Sequence, residues 1–196
     1  RDDDILHVKD NYSPFEDFQD INLELILADL NTLTKYLERL KKSKIDIKEK
    51  NILISQLEDL TNHLSNDNFA STFNFSDELS GLNDLKLLTK KPMFVIANIN
   101  DQTHKQEIED FQKEISTSMH LVTIDVKLEQ EILELDTDDQ EAFMQDMGLK
   151  ESALSRIIRK GYKLLDLKTF FTSGPKETRA WAAKKDFNAR ECSGII

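Results

Sequence analysis

The chain has 196 residues, 39% of them hydrophobic and 32% charged, and a net charge of −11. Its longest apolar run is five residues, at 93–97, too short to cross a bilayer as a helix, and its one cysteine, Cys192, excludes an intrachain disulfide framework and a cysteine zinc site. The expectation is a cytoplasmic protein with no membrane segment, sized for one large domain or two small ones, with long helices and few tight turns because it holds only five Gly and three Pro.

The chain opens on Arg1 and three aspartates, Asp2 to Asp4. This reads as an acidic loop or helix start, with a metal site as the rarer alternative. Ser13, Pro14 and Glu16 form a helix start: a capping hydroxyl, a proline at the first helical position and an acid in the first turn. Leu23, Leu27, Leu30, Leu33, Leu37 and Leu40 recur at spacings of three and four, which predicts a helix to about Lys42. Leu53, Leu57, Leu60 and Leu64 predict a second helix, with Asp46 as its cap after a short link. Two such stripes pack as an antiparallel coiled-coil hairpin, which either buries its own stripes or also reaches a partner.

Residues 65–72 have loop composition, and Phe69, Phe73 and Phe75 are expected to anchor the hairpin base. A short helix is predicted over 76–88. The apolar run 93–97 behind Pro92 suits a strand buried on both faces, as in a parallel sheet under helices. A helix over 103–116, with Ile108, Phe111 and Ile115 on one face, and a second strand over 120–124 complete a βαβ unit with parallel strands. Helices are expected over 128–135, 138–147 and 152–165, with Gly148 ending the second. Leu154, Ile157, Ile158, Leu164 and Leu165 form the apolar set of the third, with Arg156, Arg159, Lys160 and Lys163 outside. Period-two patterning on both sides of Gly174 and Pro175 predicts a β-hairpin over 168–182, in which Trp181 is read as core rather than as an exposed stacking surface.

Residues 150–196 carry eleven Lys/Arg against five Asp/Glu, and 1–149 carry fifteen against thirty-two, balances of +6 and −17. The acidic part argues against general nucleic-acid binding. The basic quarter is either a face for RNA or ribosome, or a solvated surface.

The chemistry-bearing cluster is Asn98, Ile99 and Asp101, where the first predicted strand ends. Open α/β sheets bind ligands at the carboxyl ends of their strands. Two polar side chains three apart at such a corner can address one planar ring, and the bland alternative is a turn, which Asn and Asp both favour. The end of the second strand, Asp125, Val126 and Lys127, is expected beside them. The four histidines show no metal-ligand spacing, and no serine sits in a nucleophile elbow.

Several stretches together resemble the YchF, or Obg-like, family of P-loop ATPases: 21–30, 88–92 leading to Asn98, 143–149, 158–162 and above all 169–181, TFFTSGPKETRAW. The resemblance covers essentially the whole chain in order. It implies an α/β fold: a partial P-loop NTPase parallel sheet, an inserted antiparallel coiled-coil helical hairpin, and the beginning of a ubiquitin-like TGS domain. The implied division is 1–13 and 69–165 for the nucleotide-binding domain, 14–68 for the hairpin and 166–196 for the start of the TGS domain. The resemblance further implies a ribosome-associated ATPase preferring ATP over GTP, with Asn98, Ile99, Asp101 and Val126 as base-binding residues. Partners are the ribosome, through its large subunit, and ATP, with RNA contact by 150–196. Ile99 stands where guanine-specific relatives carry Lys and this family an apolar residue, and Asp101 where this family usually carries Glu. The five glycines, at 81, 148, 161, 174 and 194, include no Gly-Lys-Ser/Thr loop. The phosphate-binding loop and the Mg²⁺ ligands are therefore expected on sequence preceding this chain, which is read as a fragment with no catalytic residue and no metal ligand of its own. The rival reading is a non-catalytic interaction module that binds a ribosomal or regulatory partner through the hairpin and the basic C-terminal region.

Overall fold

A computed structural model describes residues 13–75, 85–100, 103, 105–115 and 119–196. The acidic run at 1–4, Asp101, His7, His104 and most of the helix expected over 76–88 lie outside the described residues. The described residues divide into two units, one within 13–92 together with Lys113–Ile115, the other within 93–112 and 119–196.

The first unit is a hairpin of two helices, α1 (Pro14–Lys42) and α2 (Ile47–Ser65), as the leucine spacing predicts. Local chemistry sets their bounds. Ser13 Oγ accepts from the Glu16 N–H at 3.3 Å with Pro14 in the first turn, and Asp46 Oδ2 accepts from the Lys48 N–H at 3.0 Å. Between them Lys50 Nζ reaches back to the carbonyls of Lys41 and Ser43 at 3.2 and 2.5 Å, which satisfies orphan groups at the end of α1. Leu33, Leu57, Leu60 and Leu64 are fully buried, each contributing about 1.5–3 kcal/mol by leaving water. Phe69, Phe73 and Phe75 pack against this core, with the His63, Phe73 and Phe75 rings stacked edge to face at 5.3 Å.

The stripe on α1 departs from expectation in its first half. Leu23 and Leu27 are about half exposed, and the buried positions are Ile26 and Asp29. The reason is the neighbour. α2 is ten residues shorter than α1, 19 against 29, and the returning segment at 85–89 meets α1 at Asp29, with its Leu87 in the same core as Ile26. From Lys86, at φ +48°, that segment is not helical, so the helix expected to reach Leu88 does not.

In the second unit, β1 (Phe94–Asn98) pairs in parallel with β2 (His120–Ile124), with α3 (Lys105–Glu114) between them in sequence. Ile108 and Phe111 are half-buried along one face of α3, as their spacing predicts. Helices α4 (Val126–Glu134), α5 (Thr137–Asp146) and α6 (Ala153–Leu164) follow close to the expected bounds. Gly148, at φ +68°, ends α5: its N–H bonds to the Gln145 carbonyl and the Leu149 N–H to that of Met144, the paired bonds of a Schellman cap. Strands β3 (Leu167–Ser173) and β4 (Thr178–Lys184) form the expected antiparallel hairpin, followed by the short α7 (Ala189–Ser193).

Three burial expectations fail. β1 is not buried on both faces. Ile96 is 44% exposed, because the parallel sheet has two strands among the described residues and its helices do not cover both faces of β1. On α6, Leu154, Ile158 and Leu165 are exposed and Arg156 is half-buried. The helix turns another face to β2 and β3, and Ala153 is its buried residue. Trp181 is neither fully core nor an open platform. It is half-buried, its Nε1 donates to Thr172 Oγ1 at 2.9 Å, and the Arg179 guanidinium lies 4.4 Å from its ring centre.

Candidate functional site

The parallel register sets Asn98 opposite Ile124, the last residues of the two strands. One more backbone bond, from the Ile99 N–H to the Ile124 carbonyl at 2.7 Å, carries the pairing a step past β1. Both chains then leave the sheet at the same end. Asn98 is exposed, and its Oδ1 accepts from the Val126 N–H at 3.3 Å. The two strand ends expected to meet therefore do meet, through a side chain of one and the backbone of the other.

Asp125, Val126 and Lys127 are not a loop, as the sequence reading has them, but the start of α4. Asp125 is the N-cap, with Oδ1 accepting from the Leu128 N–H at 3.0 Å, and Val126 is the first helical residue. The Asp125 side chain is thus committed to the helix. The Val126 side chain, 49% exposed, stands free at the sheet edge. On the other side, Asn100 and Thr103 lock a turn. The Thr103 hydroxyl donates to Asn100 Oδ1 at 2.9 Å, and the Thr103 N–H bonds to the Asn100 carbonyl at 3.1 Å. Of the four expected base contacts, Asn98, Ile99 and Val126 come together and Asp101 lies outside the described residues. The geometry offers an amide side chain with its carbonyl already engaged and its –NH₂ as remaining donor, held to the backbone of the exposed Val126, with Ile99 next in sequence.

No group of three His, Cys, Asp or Glu stands together among the described residues as a metal site. No described helix is long and apolar enough to cross a membrane. A hollow of about 500 Å³ lies away from Asn98, against β3 and α7, lined by Lys168, Phe170, Phe187, Cys192 and Ile196.

One buried constellation escaped the sequence reading. Asp29, 1% exposed, accepts from the Leu88 N–H at 2.7 Å, the Thr89 N–H at 2.8 Å and the Thr89 hydroxyl at 2.7 Å. Thr89 Oγ1 accepts in turn from the Ala70 N–H at 3.0 Å, so one carboxylate fastens the segment that precedes β1 to α1 and to the turn after α2. The signal was present: Asp29 sits three residues after Ile26 and four before Leu33, on the buried face.

No family model matches the chain. Among curated proteins it is 38% identical to the ribosome-binding ATPase YchF of Pasteurella multocida, over 99% of this chain and 55% of that protein. It is 34% identical to the protein of the same name from Bacillus subtilis, over 100% of this chain and 56% of that protein, and 37% identical to that of Escherichia coli O157:H7, over 99% and 55%. The solved structure of the Schizosaccharomyces pombe YchF GTPase superposes with a TM-score of 0.81 at 25% identity, covering 100% of this chain and 56% of that one. The chain spans about half the length of the curated relatives it matches. The 196 residues are thus similar, from end to end, to about half the length of proteins named YchF.

Proposed function

We propose that this chain is the base-recognising and partner-contacting part of a ribosome-associated P-loop ATPase. The observation that carries the reading is the bond between Asn98 Oδ1 and the Val126 N–H at the shared end of β1 and β2. With its carbonyl held, Asn98 presents its –NH₂ outward, the donor that an acceptor nitrogen on a purine edge requires. Ile99 and Val126 supply apolar contacts to the faces of the ring, and Asp101 accepts from its exocyclic edge. ATP is the preferred nucleotide over GTP. The relatives' names divide on this point, ATPase for the bacterial proteins and GTPase for that of S. pombe.

Phosphoryl transfer to water depends on positioning and charge stabilisation of the phosphates, with a bound metal neutralising developing charge. These 196 residues contain no Gly-Lys-Ser/Thr loop, so the phosphate-binding loop and the Mg²⁺ ligands belong to sequence outside them, and the chain by itself does not hydrolyse ATP. In the same reading β3, β4 and α7 begin a TGS domain, the ribosomal contact is with the large subunit, and 150–196 touches RNA. The protein works in the cytoplasm.

The test is titration with ATP and GTP of the natural protein that contains these residues, alongside its Asn98→Ala variant. ATP binding tighter than GTP binding, weakened about tenfold or more by the substitution, supports the reading. Unchanged affinity in the variant sinks it. ATP turnover by the isolated 196 residues refutes the division of labour.

A further inference from the structure

The acidity of the first three quarters of the chain is not spread along the hairpin. Residues 13–34 carry five carboxylates and 51–67 carry three, with no Lys or Arg in either stretch. Residues 35–50, which turn the corner between α1 and α2, carry seven Lys/Arg and three acids. The shafts are acidic and the tip is basic. Two of the tip acids are committed to α2, Asp46 as its cap and Glu49 in its first turn. Lys50 is committed to the carbonyls of Lys41 and Ser43. Lys41, Lys42, Lys44 and Lys48 are exposed and, among the described residues, none has a carboxylate partner.

We propose that the tip of the hairpin is a docking surface for RNA, with Lys41, Lys42, Lys44 and Lys48 as phosphate contacts. The proposal rests on the ribosome-association reading above only in its choice of polyanion. Four compact ammonium groups crowded on the end of a narrow two-helix rod suit rows of backbone phosphates. A protein partner would call for exposed aromatic anchors and arginine; the tip has one aromatic, Tyr36, half-buried against the hairpin core, and one arginine, Arg39, and 41–50 contains neither. A bilayer would call for an apolar face, and Ile45 and Ile47, at 42% and 74% exposed, are the only large apolar side chains in that stretch. The overall charge does not forbid the contact. Glu38, the third acid of the tip, is exposed on α1 one turn before Lys41 and leaves 35–50 at a balance of +4; beyond it the next acid down α1, Asp29, is twelve residues from Lys41, about 18 Å along the helix, or roughly two Debye lengths at physiological salt. The acidic shafts orient the rod, disfavouring any approach but tip first.

The experiment is fluorescence anisotropy of a labelled A-form RNA duplex with wild type and a K41Q/K42Q/K44Q/K48Q variant across a KCl series. Gln keeps the side-chain length and avoids placing acids at the C-terminus of α1. A K163Q/K176Q/K185Q variant, neutralised in the basic last quarter, serves as comparison, and far-ultraviolet circular dichroism checks the helix content of each. Four phosphate contacts on a duplex predict a slope of log K against log salt of about −3.6, lost in the tip variant together with at least tenfold in affinity and kept in the comparison variant. Absent wild-type binding, an unchanged tip variant, loss confined to the comparison variant, or tip-dependent binding to phosphatidylserine vesicles or an acidic protein but not to RNA each overturns the proposal. Pelleting with ribosomes separates the two readings. Tip-dependent duplex binding without ribosome pelleting supports the tip and removes the ribosome, whereas pelleting that survives tip neutralisation keeps the ribosome and overturns the tip.

Discussion

Replacing Asp29 by Ala should be among the most damaging single changes in the hairpin unit. The carboxylate accepts three hydrogen bonds at 2.7–2.8 Å while 1% exposed, so truncation leaves three donors facing a cavity. Each hydrogen bond to a charged group contributes about 1.5–3 kcal/mol. Leu88 N is only partly buried and the Thr89 hydroxyl can rotate, so these two regain partners and the net loss settles at about 3–4 kcal/mol. Asp29→Asn keeps one acceptor but aims an –NH₂ at backbone donors, and should lose about 2 kcal/mol. Thr89→Val should cost a similar amount, and the double variant less than the sum, with a coupling near 1–2 kcal/mol. Urea unfolding followed by circular dichroism gives the energies, and hydrogen exchange at the Leu88 and Thr89 amides reports the local opening. Asp29→Ala within about 0.5 kcal/mol of wild type, with those amides still protected, would refute the clasp.

Lys50→Met keeps the apolar stem but withdraws the ammonium from the Lys41 and Ser43 carbonyls. It should cost about 1–2 kcal/mol in the same urea titration, and Lys50→Arg should recover part of it. Gly148→Ala forces a Cβ into the left-handed region at the end of α5, where nothing crowds the position, so it should lose only the backbone penalty of about 1–2 kcal/mol by the same measurement. A loss well above that would mean the site is constrained by contact rather than by φ.

What could be read from the chain alone follows from how local each determinant is. The starts of α1 and α2 and the stop of α5 were legible because Ser13, Asp46 and Gly148 act within a turn of themselves. The parallel pairing of β1 and β2 was legible because strand, helix and strand within about thirty residues permit little else. The rotation of the stripe on α1 was not, because what covers Ile26 and Asp29 arrives some sixty residues later in the chain. Exposure of Ile96 and of Leu154, Ile158 and Leu165 was misjudged for the same reason: hydropathy marks a face that can be buried, not the element that buries it. The helix start at Asp125 and Val126 was within reach, since an Asp before a periodic run is a cap signal, but it was read as a continuing loop. Of the base-reading cluster, the meeting of Asn98 with the end of β2 follows from the parallel register, whereas the capture of its carbonyl by Val126 depends on side-chain geometry that no spacing encodes.

The central claim is that a purine ring is held where β1 and β2 end. A crystal structure of the natural protein containing these residues, bound to a non-hydrolysable ATP analogue, addresses it most directly. Adenine within hydrogen-bond reach of the Asn98 –NH₂ and in van der Waals contact with Ile99 and Val126 is the predicted result. A base seated elsewhere, with the Asn98 amide facing only solvent, would contradict it.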